Sequence, residues 1–167
     1  DASASFRFVE GSQERPIVVY GTSIAHGASA SRPGLIWSTR LKRRYECPVV
    51  NLGFSGSGKM EHVMFDALAE IDARAYIIDC VPNCAALTCQ EFEERLRYGI
   101  DRLRKAGKAP IIFAENQFID HPSALVHSAG YRGQMEKDSV QQRVVKELQA
   151  KGVEGLYYVT RADLGFA

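Results

Sequence analysis

Ile17-Val18-Val19-Tyr20-Gly21-Thr22-Ser23-Ile24-Ala25-His26-Gly27 is the stretch on which the reading of this chain turns. Its first four residues form an apolar, branched run of strand length. A small residue, hydroxyls and a closing glycine come next, where a strand would turn into a helix. Such a turn sets Ser23 at the carboxyl edge of a sheet, where open α/β sheets bind ligands. Ser23 is therefore a candidate nucleophile. Taken alone, the stretch also reads as an ordinary strand-to-helix turn with a serine cap.

Outward from that turn, apolar runs and helical stripes alternate. A small-residue loop, Ala28 to Gly34, leads to a helix expected over Leu35 to Tyr45, with Trp37, Leu41 and Tyr45 on one face. Pro48 to Leu52 reads as a second strand, followed by the glycine-rich loop Gly53-Phe54-Ser55-Gly56-Ser57-Gly58. Met60, Val63, Met64, Ala67, Leu68 and Ile71 then fall on one helical stripe. Ala75 to Cys80 is the third strand, broken by Val81-Pro82-Asn83. Thr88 and Glu91 make a capping box for a helix to about Ala106, with Phe92, Leu96, Ile100 and Leu103 inward and Gly107 at its end.

Pro110 to Ala114 is the fourth strand, and a long loop from Glu115 to about Gly130 marks a functional segment by its length. A last helix carries Val140, Val144 and Leu148 to Gly152, and Leu156 to Val159 is the fifth strand. Five strands alternating with helices predict an α/β, flavodoxin-like, three-layer α/β/α fold with a parallel sheet of order 2-1-3-4-5. Residues 1–15 read as a lead-in or linker from an upstream domain, and residues 16–167 as one domain. Asp1-Ala2-Ser3 reads as the start of a processed or trimmed chain.

Composition narrows the classes. With 46% hydrophobic and 25% charged residues the chain has the balance of an ordinary globular domain. Lys plus Arg number 21 against 20 Asp plus Glu, which leaves no footprint for nucleic acid or an anionic membrane. Arg40, Lys42, Arg43 and Arg44 read as a solvated helix face. No apolar run reaches the roughly 18 residues of a membrane span. Cys47, Cys80, Cys84 and Cys89 are too few for a disulfide scaffold and lack zinc-ligand spacing, so they read as packing residues, with a Cys84–Cys89 bridge as the alternative. The compartment stays open, with a periplasmic or secreted setting preferred to a cytoplasmic one.

In the predicted strand order Ser23, the Gly53–Gly58 loop and Asn83 come after three neighbouring strands and converge on one edge. A hydroxyl, a loop of accessible backbone N–H groups and a side-chain amide make an acyl-transfer site with its oxyanion hole. These residues carry a family resemblance. Gly21-Thr22-Ser23, Val49-Val50-Asn51 through Gly56, and Val81-Pro82-Asn83 resemble the first three motifs of the SGNH hydrolases, also called GDSL-type esterases. The resemblance implies Ser23 as nucleophile and the Ser23 N–H, the Gly56 N–H and the Asn83 side chain as oxyanion donors. It implies no metal and no organic cofactor.

Thr22 stands where the first motif usually has Asp, and the larger departure is the fourth motif. Asp-x-x-His, bearing the general base, is expected near the end of the chain. None of His26, His62, His121 or His127 has a carboxylate three residues before it. Asp163-Leu164-Gly165-Phe166 resembles the stretch just after that motif in the family, with Thr160-Arg161-Ala162 directly before it. A loop bearing Asp and His is therefore expected to be missing near 160–163, either deleted or not represented.

His26, Arg32 and Glu115 are the candidate substrate contacts. His26 reads as pocket lining or cap, with base duty as its alternative; Arg32 suits a substrate carboxylate or sugar hydroxyls; Glu115 and Asn116 lie at the pocket rim. Trp37 is expected in the core, with a pocket wall as its alternative, and Asp79 is expected buried and paired or orienting a loop. His121, in Asp120-His121-Pro122, reads as an exposed loop residue, and His62 as a helix-surface one. Gly53 to Lys59 lacks the ending and spacing of a phosphate-binding loop. The expected partner is a small ester or an acylated glycan, and the expected reaction is hydrolysis of short, acetyl-type esters. Acyl transfer to an alcohol and ligand binding without catalysis are the alternatives.

Overall fold

The computed structural model describes residues 3–8, 10–116 and 129–165. Five strands form one parallel sheet: β1 (Ile17–Gly21), β2 (Val49–Gly53), β3 (Ala75–Asp79), β4 (Ile111–Ala114) and β5 (Leu156–Val159). Their order is β2-β1-β3-β4-β5, as the alternation of elements predicts. His121, His127 and the Asp120-His121-Pro122 fragment lie outside the described residues.

Strand alternation divides the apolar residues between two faces. Val18, Tyr20, Tyr76, Ile78, Ile111, Phe113 and Leu156 point to one side and pack with three helices. These are α3 (His62–Leu68), α4 (Cys89–Ala106) and α5 (Ala129–Ala150). Phe65 and Leu68, then Phe92, Leu96, Ile100 and Leu103, then Val140, Val144 and Val145 complete that core. On the opposite side α1 (Ser23–His26) and α2 (Trp37–Tyr45) lie against β1 and β2. There Ile77, Ile112, Ala114 and Val159 stand outside the core cluster, half-buried, and Tyr157 is 54% exposed.

Three expectations need correction. The second helix begins at Trp37, behind a single 3-10 turn at Pro33–Leu35, because Pro33 starts a turn that Ile36 leaves in extended conformation. Its buried residue is Ser38, whereas Trp37 is 37% exposed and Tyr45 more so. Trp37 is therefore not a core residue: its indole N–H donates to the Ala25 carbonyl at 2.9 Å, which holds the ring at the surface. The stripe from Met60 to Ile71 also overruns its helix. Met60 is fully buried but precedes α3 at φ +56°, and Val63 is 70% exposed. Lastly, all four cysteines are free, with Cys84 buried and Cys89 exposed, so no Cys84–Cys89 bridge forms.

The fourth helix matches its expectation. Thr88 Oγ1 accepts from the Glu91 N–H at 3.1 Å and Glu91 Oε2 accepts from the Thr88 N–H at 2.9 Å. Residues 3–8 and 10–15 form no helix or strand, and Phe6 and Phe8 are exposed.

Candidate active site

Gly21, Gly53 and Asp79 sit level with one another across β2, β1 and β3. Ser23, Gly56 and Asn83 therefore leave the sheet from the same edge within a few residues of a common line. The chain segments there touch at the backbone. A Cβ on Gly53 would lie 2.2 Å from the His26 nitrogen, and one on Gly58 would lie 2.2 Å from the Gly21 carbonyl oxygen. No real contact is that short, so only glycine lets α1 and the post-β2 loop close on the end of β1.

Thr22, buried and extended, caps α1: its Oγ1 accepts from the Ile24 N–H at 3.2 Å. Ser23 is the first helical residue, and its own N–H has no acceptor within the helix. Its carbonyl accepts from the N–H groups of Gly27 (3.1 Å) and Ala28 (2.9 Å), which closes α1 after a single turn. The half-buried Ser23 hydroxyl makes no hydrogen bond among the described residues.

Hydrogen bonds join the three loops. Phe54 N–H donates to the Gly21 carbonyl at 2.9 Å. The Phe54 carbonyl in turn accepts from Ser57 N–H (3.2 Å), Gly58 N–H (3.3 Å) and Asn83 Nδ2 (3.2 Å). The main chain of one residue, Phe54, thus ties the end of β1, the glycine-rich loop and the turn after β3 through its N–H and its carbonyl. Gly56 projects from this loop at φ +70° with open space around it, and its N–H has no acceptor among the described residues. Asn83 Nδ2 keeps one N–H beyond the bond to Phe54, since an amide carries two.

The proposed substrate contacts separate into two cavities on either side of α1. His26 and Arg32 line one of about 420 Å³ together with Ile36 and Asn51. Glu115 lines another of about 320 Å³ with Ile24, Trp37, Asp79, Ala114 and Asn116. Burial pushes the Asp79 carboxyl up to about 6. Glu115 Oε2 accepts from the Arg161 N–H at 2.7 Å, and its other oxygen lies 3.6 Å from Arg161 Nε. Glu115 thus reaches the segment after β5, where Thr160 N–H donates to Asp163 Oδ2 (2.8 Å) and Asp163 N–H to Thr160 Oγ1 (3.1 Å). His62, the first residue of α3, is stacked on Tyr98 and lies 3.1 Å from Glu94. Among the described residues no group of three or more His, Cys, Asp or Glu is gathered as a metal ion would need.

Asn51 has a role that its motif position did not reveal. Its Nδ2 donates to the Ala25 carbonyl and to Ser38 Oγ, both at 2.9 Å, and its Oδ1 accepts from the Gly53 N–H at 3.0 Å. It bolts α1 and α2 to the end of β2. Asn116, expected at the pocket rim, hydrogen-bonds at 2.9 Å to Gln134, which sequence reasoning missed, beneath the Asn83 turn. Asn116's place beside the rim residue Glu115 was the one available signal.

Residues 14–167 match the model of the GDSL-like lipase/acylhydrolase family. The fold resembles a GDSL-like lipase-type protein from Bacteroides ovatus ATCC 8483, with 34% identity and a TM-score of 0.82 over 96% of this chain and 46% of that one. It also resembles a salicylyl-acyltransferase from a tetracycline biosynthetic pathway (17% identity, TM-score 0.74, 90% of this chain and 43% of that one). A carbohydrate acetylesterase from Sinorhizobium meliloti shares 14% identity at a TM-score of 0.62, over 90% and 85% of the two chains. The chain spans just under half the length of the first two, and the last two likenesses are of fold alone. No curated protein sequence matches significantly.

Proposed function

The chain belongs to the GDSL-like lipase/acylhydrolase family, and from that membership we propose that it is a serine esterase acting on short acyl esters through Ser23. The observation that carries this reading is the main chain of Phe54, whose N–H bonds to Gly21 and whose carbonyl accepts from Asn83. It draws the amide of Asn83 and the loop of Gly56 to the end of β1, two residues before the serine. Acyl transfer needs that combination: a hydroxyl to attack the carbonyl carbon, and preorganised N–H donors where the oxygen becomes negative.

In the proposed reaction Ser23 Oγ bonds to the ester carbon while its proton passes to a base. The Ser23 N–H, the Gly56 N–H and the second Asn83 N–H meet the oxyanion. The carbon–oxygen bond to the alcohol breaks, the alcohol leaves with a proton, and water then cleaves the acyl-serine. Acetyl esters of carbohydrates are the proposed substrates, supported by the fold likeness to a carbohydrate acetylesterase. The same acyl-serine would serve transfer to an alcohol, a reaction in keeping with the acyltransferase neighbour.

The base is the weak point of this chain. Thr160-Arg161-Ala162-Asp163 closes on itself with no histidine in it. Loss of a triad member typically lowers turnover by several powers of ten, roughly 10⁴ to 10⁶, while the oxyanion hole still supports residual catalysis. Slow acylation with little turnover is therefore expected, and ligand binding without catalysis is its limiting case. A fluorophosphonate probe should label the chain at Ser23 and lose that label in Ser23→Ala. Label retained at another residue would overturn the assignment.

A further inference from the structure

We propose that Gln134 and Asn116 are positioning residues for Asn83, holding its turn from below so that the amide faces the serine. The inference rests on reading Asn83 as an oxyanion donor. A chain of hydrogen bonds leads there from the interior. Asp138 Oδ1 accepts from the Asn116 N–H at 3.0 Å. Asn116 Nδ2 donates to Gln134 Oε1 at 2.9 Å, and Gln134 Nε2 donates to the Pro82 carbonyl at 3.2 Å. Pro82 is the residue before Asn83, inside the turn Val81–Asn83.

This chain of bonds is buried at its inner end and half-buried at Gln134. Asn116 and Asp138 are 3% and 5% exposed. The Asp138 main-chain carbonyl accepts from Tyr158 Oη at 3.3 Å, and Gln141, one turn along α5, donates to the Ala114 carbonyl at 3.0 Å. Asn116 is therefore carried by β4 into a fixed position. The same helix, α5, also packs against the chain just beyond that turn: a Cβ on Gly133 would stand 2.5 Å from the Ala85 carbonyl oxygen. Gln134, next to Gly133, is thereby delivered within reach of Pro82.

Above the turn, Asn83 has one bond, from Nδ2 to the Phe54 carbonyl, and its main-chain N–H donates to the Cys80 carbonyl at 3.1 Å. Because Pro82 has no N–H, its carbonyl is the one main-chain group through which a neighbour can grip that residue. Gln134 supplies the grip, and Asn116 fixes which end of the Gln134 amide points upward.

Gln134→Glu tests this, because it keeps an acceptor for Asn116 Nδ2 and removes the donor to Pro82. The readout is the second-order rate at which a fluorophosphonate modifies Ser23, a step that forms the P–O bond, expels fluoride and releases the serine proton to water. Gln134→Glu should slow modification about tenfold in the native background and change nothing further in Asn83→Ala. An equal loss in both backgrounds, or none in the native one, overturns the proposal. Gln134→Met carries the same expectation should the acidic variant fail to fold. If the native chain is not modified at Ser23 at all, the esterase reading fails separately. The positioning role is then read from the Asn83 side-chain amide by ¹⁵N NMR: its two signals should shift or broaden in Gln134→Met, and unchanged signals overturn it.

Discussion

Single glycines decide whether the candidate site can exist, and they differ in the reason. Gly58 faces the Gly21 carbonyl and Gly53 the backbone of His26, so a methyl group at either would strike main chain at 2.2 Å. Gly58→Ala and Gly53→Ala should each lower unfolding free energy by about 3 kcal/mol or more, because backbone cannot rotate away as a side chain can. Gly56 has nothing within 4 Å and is constrained by its φ of +70° alone. Gly56→Ala should lose only about 1–2 kcal/mol, the left-handed penalty. Urea titrations of the three variants separate the two mechanisms, and equal losses would contradict them. Asn51 is the polar counterpart of these glycines: three hydrogen bonds leave it no freedom, so Asn51→Ala would loosen α1 and with it the Ser23 turn.

Among the elements, α4 depends most visibly on its first turn, where Thr88 and Glu91 satisfy each other's N–H groups. Thr88→Ala should reduce stability by about 1 kcal/mol, measurable in the same titrations. This helix was legible in the sequence because cap, stripe and end signal all agreed: Phe92, Leu96, Ile100 and Leu103 are buried, and Gly107 closes the helix. The strands were legible for the same kind of reason, since each branched apolar run has the length of a buried parallel strand. The stripe from Met60 to Ile71 misled because α3 has only seven residues, and Met60 is buried from outside it. Strand ends also made the three converging loops readable. The links from Asp138 to Asn116, from Asn116 to Gln134 and from Gln134 to Pro82 were not, because polar contacts between residues 18 to 52 positions apart leave no periodic trace. Nor could the sequence show that His26 and Arg32 open to one cavity and Glu115 to another, since α1 separates them only once it is seated on Gly53.

For the molecule as a whole, two buried carboxyls set the response to pH. Burial raises Asp79 from 3.8 to about 6, and burial raises Asp138 from 3.8 to about 7. Both keep their protons in the fold at pH values where the unfolded chain has released them. Unfolding therefore releases protons between about pH 4 and 7, so stability should fall as pH rises through that window and level off above it. For Asp79 the loss is on the order of 3 kcal/mol. The ion-paired Glu147, lowered to about 2 chiefly by hydrogen bonds from Arg97 and Lys151, acts in the opposite sense between about pH 2 and 4.5, so the two windows meet only near pH 4. Melting temperature should be higher at pH 5 than at pH 7.5, and Asp79→Asn with Asp138→Asn should flatten the profile; a profile unchanged by both would refute the assignment. Among the described residues one side of the sheet is thinly covered, which shapes such unfolding curves as well. Ile77, Ile112, Val159 and Tyr157 lie on the side away from the main core and already meet water in the folded chain. Denaturation uncovers correspondingly less new surface there, so the urea m-value and the heat-capacity increment should both fall short of those of a 167-residue domain sandwiched on both sides.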